Sequence, residues 1–421
     1  MARNVIRSRY RALSARIITV ISVSGCLMAL TAGASATRAP DTGSVINASL
    51  NDVFCNAPSS CMAVGWDLRN PTGGSVYFTL AEAWNGSSWT VLPSPTPRHP
   101  GGGARLNAIA CNGSNFCMAV GESLVFHVPG GNLVSHPLAE LWNGHTWTMV
   151  PTPTMAGTGA TLNGISCDTP RSCMAVGSEG GPKNDTAFTL AEEWNGAAWA
   201  VVPTPAPPTP GGTALNGVSC SVIAHCMAVG YYGHNNGTGT SVTLAETRDG
   251  ASWLRLPTPT PGSSGVLAGV SCNPLRAVQA LVCTAVGGHA VSSSTRVGAT
   301  LAMRWNSTAW RTQPSPNPAG AGQAGFDAVS CPDHASCMAT GSSLDQTGEN
   351  QFTLAEAWNG MSWSLSSTPS PGSFGDELRG VSCTSPSSCM AVGDFTGTGN
   401  ELTLAEAWNG VTWAVVKTPR P

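Results

Sequence analysis

Charge is scarce in this sequence: acidic and basic side chains make up 10% of its 421 residues. Tyrosine is scarcer, with four. Past about residue 30 no apolar run is long enough to cross a bilayer, which excludes a transmembrane span there. Beyond that point no segment keeps the 3.6-residue period of an amphipathic helix, which excludes helical solenoids and bundles. Sequence-readable catalytic signatures are missing too. There is no G-x-S-x-G elbow, no phosphate-cradling glycine loop and no HExxH. The eight histidines, His99, His225 and His289 among them, show no paired metal-ligand spacing. No metal or cofactor is expected.

What is abundant points to folded β-structure. Hydrophobic residues make up 42% of the chain, far more than a disordered chain carries. The 49 glycines and 31 prolines suit many short strands joined by turns.

The N-terminus reads as an export signal over residues 1–36. Arg3, Arg7, Arg9, Arg11 and Arg16 form a basic region without an acid, an apolar stretch runs from Ile17 to about Leu30, and Ala34-Ser35-Ala36 offers a cleavage site. The alternative is a lipid anchor: Val23-Ser24-Gly25-Cys26 resembles a lipobox, although the apolar run continues past Cys26. Cleavage after Ala36 removes five of the 20 basic residues and none of the 23 acidic ones, leaving a net charge of about −8. Such a surface repels phosphate backbones, so nucleic acid is not an expected partner. The expected location is extracellular and the expected state monomeric.

Self-similarity settles the architecture. Seven units read L-x-x-V-S-C-x5-C-M-A-V-G, a variable stretch, then T-L-A-E-x-W-N-G-x-x-W-x-x-x-P-T-P. Their first cysteines, Cys55, Cys111, Cys167, Cys220, Cys272, Cys331 and Cys383, are spaced 56, 56, 53, 52, 59 and 52 residues apart. That period fits one four-stranded propeller blade. In the third unit, 162–167, 173–177, 188–194 and 199–202 read as strands a to d. Asn195-Gly196 is a turn signal because both residue types tolerate positive φ. Strands such as Cys-Met-Ala-Val-Gly are apolar without alternation because both blade faces pack on neighbours. The fold class is therefore all-β: a seven-bladed β-propeller, four antiparallel strands per blade, with one disulfide inside each blade. A short linker is expected at 37–49, followed by blades at about 50–105, 106–161, 162–214, 215–266, 267–325, 326–377 and 378–421. The ring closes by packing of blade 7 on blade 1, and Ser44-Val45-Ile46 offers a short closing strand.

The cysteines keep the same register. Cys26 lies in the leader, and the other fourteen flank the a–b turns, where antiparallel neighbours are within disulfide reach. The expected bonds are Cys55–Cys61, Cys111–Cys117, Cys167–Cys173, Cys220–Cys226, Cys272–Cys283, Cys331–Cys337 and Cys383–Cys389. Chain-entropy arithmetic gives roughly 2–3 kcal/mol for each. Zinc is the rival reading, but C-x5-C is not a usual zinc spacing.

The L-x-x-V-x-x opening, the A-V-G strand and the G-x-x-W hairpin resemble the BNR or Asp-box-like propellers, among them the sialidase and photosystem II assembly factor types. The Asp-box ends in G-x-x-W, matched by Gly86 and Trp89, Gly144 and Trp147, Gly196 and Trp199, Gly250 and Trp253, Gly360 and Trp363, and Gly410 and Trp413. Its aspartate position holds Trp84, Trp142, Trp194, Arg248, Trp358 and Trp408, and unit five has Ser307 in place of the glycine. The resemblance implies the propeller fold. Because this fold hosts unrelated activities, it assigns none.

Repeated side chains are expected to hold the ring together. Twelve tryptophans form six W-x4-W pairs and Trp253 stands alone in unit four, all suited to packing between blades. Glu82, Glu140, Glu192, Glu246, Glu356 and Glu406 recur, with Met303 in unit five, and are expected to accept hydrogen bonds from turns or adjacent blades. Function is left to what does not repeat. The a–b and c–d turns share one nearly constant rim; the b–c and d–a loops share the variable one. There Trp66 and Tyr77 of unit one, Phe126 and His127 of unit two, and Tyr231, Tyr232 and His234 of unit four are the candidate binding residues. No residue is assigned a catalytic role. The reading is a binding or scaffold propeller for a glycan, cell-wall component or protein. The alternative, a propeller-type glycoside hydrolase or lyase, needs titratable groups from several blades meeting at the mouth.

Overall fold

A computed structural model describes residues 44–70, 74–97, 102–127, 132–153, 159–180, 187–206, 211–233, 240–275, 280–291, 298–397 and 399–421. The expected export signal, with Cys26 and the expected cleavage site after Ala36, lies outside them. The described chain forms 28 strands, β1 to β28, in seven sheets of four consecutive antiparallel strands. The first blade comprises β1 (Val45–Ala57), β2 (Ser60–Arg69), β3 (Val76–Trp84) and β4 (Trp89–Leu92). The third comprises β9 (Ala160–Thr169), β10 (Ser172–Gly180), β11 (Ala187–Trp194) and β12 (Trp199–Val201). First strands of successive blades touch all the way round. β1 meets both Gly103–Cys111 of blade 2 and Asp376–Ser385 of blade 7, which closes a seven-bladed propeller. Val45 and Ile46 are not a separate closing strand; they begin β1, where Val45 pairs with Arg69.

All seven disulfides lie within blades as the spacing implies, with Cα atoms 4.0 Å apart. The Asn-Gly turns differ from expectation in one respect. Strand c stops at Trp84 and strand d starts opposite it at Trp89, so the loop has four residues and only its glycine takes positive φ (Gly86, 94°). Asn85 instead accepts from the backbone N–H of Ser87 and Ser88 through Oδ1, both at 2.9 Å. In blade 5 Ser307 adopts the left-handed conformation, φ 75°, and donates its hydroxyl to the Leu281 carbonyl.

Seven apolar cores sit between blades rather than within them. Cys173 and Ala175 of β10 pack towards blade 2, against Met118 and Val120, whereas Met174 and Val176 pack towards blade 4, against Leu215 and Trp253. Alternate side chains of one strand thus enter different cores, and no face is left for water. The buried second tryptophans are the largest members of these cores; Trp199 sits in the blade 2–3 core and Trp89 in the blade 7–1 core.

Inner strands are also clipped directly to one another. Each carries an irregularity in register four residues before its first cysteine, the extra residue being Asn51, Asn107, Asn163 or Asn216 in blades 1 to 4. The bulge swings each asparagine out of its own ladder. Its Nδ2 donates to a leucine carbonyl of the next blade: Leu106, Leu162, Leu215 and Leu267, at 2.8 to 3.1 Å. A second ladder runs from the serine beside the cysteine. Ser166, Ser219, Ser271, Ser330 and Ser382 each accept the cysteine N–H of the following blade, the last crossing from blade 7 to Cys55.

Trp199→Ala is expected to destabilise the ring by about 3–5 kcal/mol through the cavity it leaves. Asn163→Ala, which forfeits one bond between neutral groups, is expected to cost about 1 kcal/mol. Denaturant unfolding of the oxidised protein measures both.

Candidate functional site

Seven-fold repetition makes the departures readable. One step towards the b–c rim from the first-strand core residue, strands a and b of each blade face each other through one residue pair. Around the ring these pairs are Ser49–Trp66, Arg105–Glu122, Thr161–Ser178, Ala214–Tyr231, Val266–Gly288, Gly325–Ser342 and Glu377–Asp394. The layer is aromatic and charged at blades 1, 2 and 7, and small at blades 5 and 6. Three local arrangements follow.

The first joins blades 1 and 2. Trp66 and Tyr77, both candidate residues, meet edge to face at 5.1 Å. Arg105 of blade 2 lies over Tyr77 at 3.7 Å and over Trp66 at 5.7 Å. Behind them Arg69 is held by Asp67 in a buried two-point pair and lies 5.2 Å from the Phe78 ring centre. Sequence reasoning found the two aromatic residues but not Arg105, which comes from the next blade.

The second arrangement is charged and spans blades 6, 7 and 1. At the bulge position of the inner strands, blades 5, 6 and 7 have Ala268, Asp327 and Arg379 in place of asparagine. Arg379 bonds Glu377 at 2.6 Å and Asp394 at 2.8 Å. Ser49 of blade 1 donates to Asp394 at 2.7 Å, across the closure. Ser342 of blade 6 approaches Glu377 at 3.5 Å. Burial, and after it the neighbouring Glu377 carboxylate, holds Asp327 well above the usual carboxylate range. Acids from two blades and an arginine therefore converge, as the enzyme alternative requires. Tyr77 lies apart from them on blade 1, engaged by Arg105. Aligning the repeats on the first cysteine exposes these substitutions in the sequence, but only the bulge shows that this position leaves the blade.

The third arrangement is a cleft of about 540 Å³ between blades 5 and 6, bounded by Val266, Gly288 and His289 on one side and Gln323, Gly325 and Gln351 on the other. It exists because the facing pairs there are the smallest in the layer.

Among the remaining candidates, the structure describes the side chains of Tyr231 and Tyr232. Tyr231 and Tyr232 are half-buried near the end of the second strand of blade 4, and Tyr232 packs on the blade 3–4 core. Phe126 and His127 end the second strand of blade 2, but their side chains are outside the described set, and so is His234. Among the described residues no group of three His, Cys, Asp or Glu is placed to hold a metal.

The repeated glutamates form no open site. All six are at most 1% exposed. Glu140 and Glu356 accept from Ser94 and Ser315 of the preceding blade's connector, at 2.6 and 2.9 Å. Where the connector has threonine, the hydroxyl turns to a carbonyl of its own blade, as Thr204 does to Thr189 and Thr418 to Thr403. Both carboxyl oxygens of Glu82, Glu192 and Glu406 are buried with no hydrogen-bonding partner among the described residues. Burial raises the pKa of each of these three to about 8.

No protein-family model matches this chain, and no curated protein matches it by sequence. Solved structures do. An ulvan lyase bound to a -[GlcA(1-4)Rha3S]- chain is 9% identical, covers 89% of this chain and 97% of its own, and has a TM-score of 0.50. YCF48 bound to a D1 peptide is 12% identical over 87% of this chain and 95% of its own, with a TM-score of 0.46. The sialidase of Trypanosoma rangeli is 11% identical over 77% and 53%, with a TM-score of 0.40. At such identities the likeness speaks for the propeller fold alone, and of these three the lyase supports it.

The buried acids bind protons more tightly in the folded chain than in the unfolded one, so stability falls as pH rises from about 4.5 towards 8. Thermal midpoints are expected to be lower at pH 8.5 than at pH 5. Glu192→Gln, which stays neutral, should raise the midpoint at pH 8.5 and flatten the profile, each unit of lost shift being worth about 1.4 kcal/mol. An unchanged profile would mean that Glu192 does not carry the proton.

Proposed function

We propose that this protein is an extracellular binding propeller that presents its b–c rim to a glycan, a cell-wall component or a protein. One observation carries the reading. The aromatic–arginine group, the charged group and the cleft all lie on that rim, while the opposite rim repeats a disulfide turn and a short c–d hairpin turn in every blade. Side chains that depart from the repeat are not needed to close the ring, which leaves them available for recognition. Seven disulfides suit an oxidising compartment, in keeping with export.

Hydrolysis or elimination is the second reading, favoured by the raised Asp327 carboxyl beside Glu377. It ranks lower because Arg379 and Asp394 are bonded to each other, and Arg379 also to Glu377. The group is thus largely self-neutralised, and among the described residues no cation beyond Arg379 takes part in it for stabilising a developing charge.

A panel of glycans, peptidoglycan fragments and secreted proteins, offered to the oxidised mature chain, tests both. Binding without product release is expected. Arg105→Ala or a substitution in the cleft should weaken it, whereas Met361→Gln, on the exposed opposite rim, should leave it unchanged. Product release abolished by Glu377→Gln would replace binding with catalysis, and failure to bind any member of the panel would refute the rim as a recognition face.

A further inference from the structure

The cleft between blades 5 and 6 contains glycines that the fold does not require. Several of the propeller's glycines are fixed by close approach. A Cβ on Gly287 would lie 2.0 Å from the Val266 carbonyl oxygen and one on Gly341 2.1 Å from that of Gly325, so neither can be anything else. Gly288, Gly298 and Gly325 line the cleft, and none has positive φ. A Cβ on Gly325 would meet nothing within 4 Å, and those on Gly288 and Gly298 would meet their nearest atoms at 3.7 and 3.8 Å, an ordinary contact. Four other blades fill the Gly288 position with Trp66, Glu122, Tyr231 or Asp394, and two have a serine, Ser178 and Ser342. Glycine here costs conformational entropy and returns no packing. What it gives is open space against a bare backbone.

The chemistry around that space is uniform in kind. Among the described lining residues there is no Asp, Glu, Lys or Arg. Polar contacts come from Ser264, Ser342, Gln323, Gln351 and His289, groups that both donate and accept. The amide of Gln351 donates to the Ser342 hydroxyl at 2.8 Å, which fixes both on the blade 6 wall. On the blade 5 wall His289 adds an imidazole, whose Nδ1 is buried with no partner among the described residues. Between them Val266, Leu344, Ala290 and Ala324 supply apolar surface.

We infer that this cleft is a binding site for an uncharged oligosaccharide, with the sugar's C–H faces against the glycine and aliphatic surface and its hydroxyls on Gln323, Gln351, Ser342 and His289. A charged sugar would be desolvated there without a counter-charge. A peptide is the less suitable occupant. Peptides are commonly taken up as an added strand at a free sheet edge, and the cleft is walled by faces of already paired strands, three from each blade. The volume lies within the usual range for small-ligand sites, roughly 300–1,000 Å³.

The inference rests on the b–c rim being the recognition face, and the test separates the two. Neutral gluco-, manno-, xylo- and chito-oligosaccharides, with oligogalacturonate as the charged comparison, are titrated calorimetrically into the oxidised mature protein. At least one neutral series is expected to bind and oligogalacturonate is not. Gly325→Leu, whose Cβ would meet nothing within 4 Å, and His289→Ala should each raise Kd at least tenfold with the thermal midpoint unchanged. Met361→Gln, on the opposite rim, should leave that Kd alone. Neutral glycan binding untouched by both cleft variants, or lost only with Arg105→Ala, would overturn the cleft while leaving the rim in place. Binding of oligogalacturonate or of a protein but no neutral glycan would do the same. If Gly325→Leu unfolds, Gln351→Ala decides the matter on the same criterion.

Discussion

Everything in this propeller depends on how closely the inner strands of neighbouring blades approach. On both sides of β9 the approach is set by atoms with no slack. An added Cβ on Gly177 would sit 1.9 Å from the Thr161 carbonyl oxygen within the blade, and one on Gly164 would sit 3.0 Å from Asn216 of the next. That proximity lets an asparagine on a bulge reach the neighbour's carbonyl and a serine hydroxyl reach the neighbour's cysteine N–H. It also forces both faces of every second strand to be apolar, because each face is the wall of a different core. The disulfides act at the opposite end of the same strands. They hold the a–b turn while the bulge bends the strand towards the rim.

Read this way, the ring is not equivalent around its circumference. From blade 1 to blade 5 the asparagine clip is unbroken. From blade 5 onwards it is replaced by Ala268, then by Asp327 and Arg379, and the facing layer passes from its smallest pairs to its most charged. Across the closure between blades 7 and 1, the Ser49 hydroxyl donates to Asp394, a carboxylate that Arg379 of its own blade 7 also holds. The neutral cleft and the charged group adjoin, since Ser342 lines the one and contacts Glu377 of the other.

Much of the fold was legible because covalent and local signals repeat seven times. Cys167 and Cys173 mark one turn, Trp194 and Trp199 another, and the apolar b strand between them needs two buried faces; few architectures satisfy all three. The Asn-Gly turn was legible as a turn but not as a cap, since only geometry shows Asn85 bonding its own loop. The site was less legible for a physical reason. Trp66 and Tyr77 announce themselves by type, whereas Arg105 joins them only through the contact between blades. The cleft arises from what Gly288 and Gly325 lack, and a missing side chain carries information only once its register is known. Tyr232 misled in the other direction: an aromatic residue near a loop that packs on the core.

Each blade is a contiguous stretch of chain with its four strands in order, and no strand is lent to a neighbour across the closure. The joint between blades 7 and 1 is thus built from contacts that recur at other joints: an apolar core, as at all of them, a serine on a cysteine N–H, as at four, and polar contacts at the rim. Among the described residues no shared strand singles out where the circuit has to be interrupted. A rearranged gene opened between two other blades and spliced across the present seam would encode the same wheel with its sectors renumbered. That interchangeability is what allows one sector to diverge in chemistry without the rest having to be rebuilt.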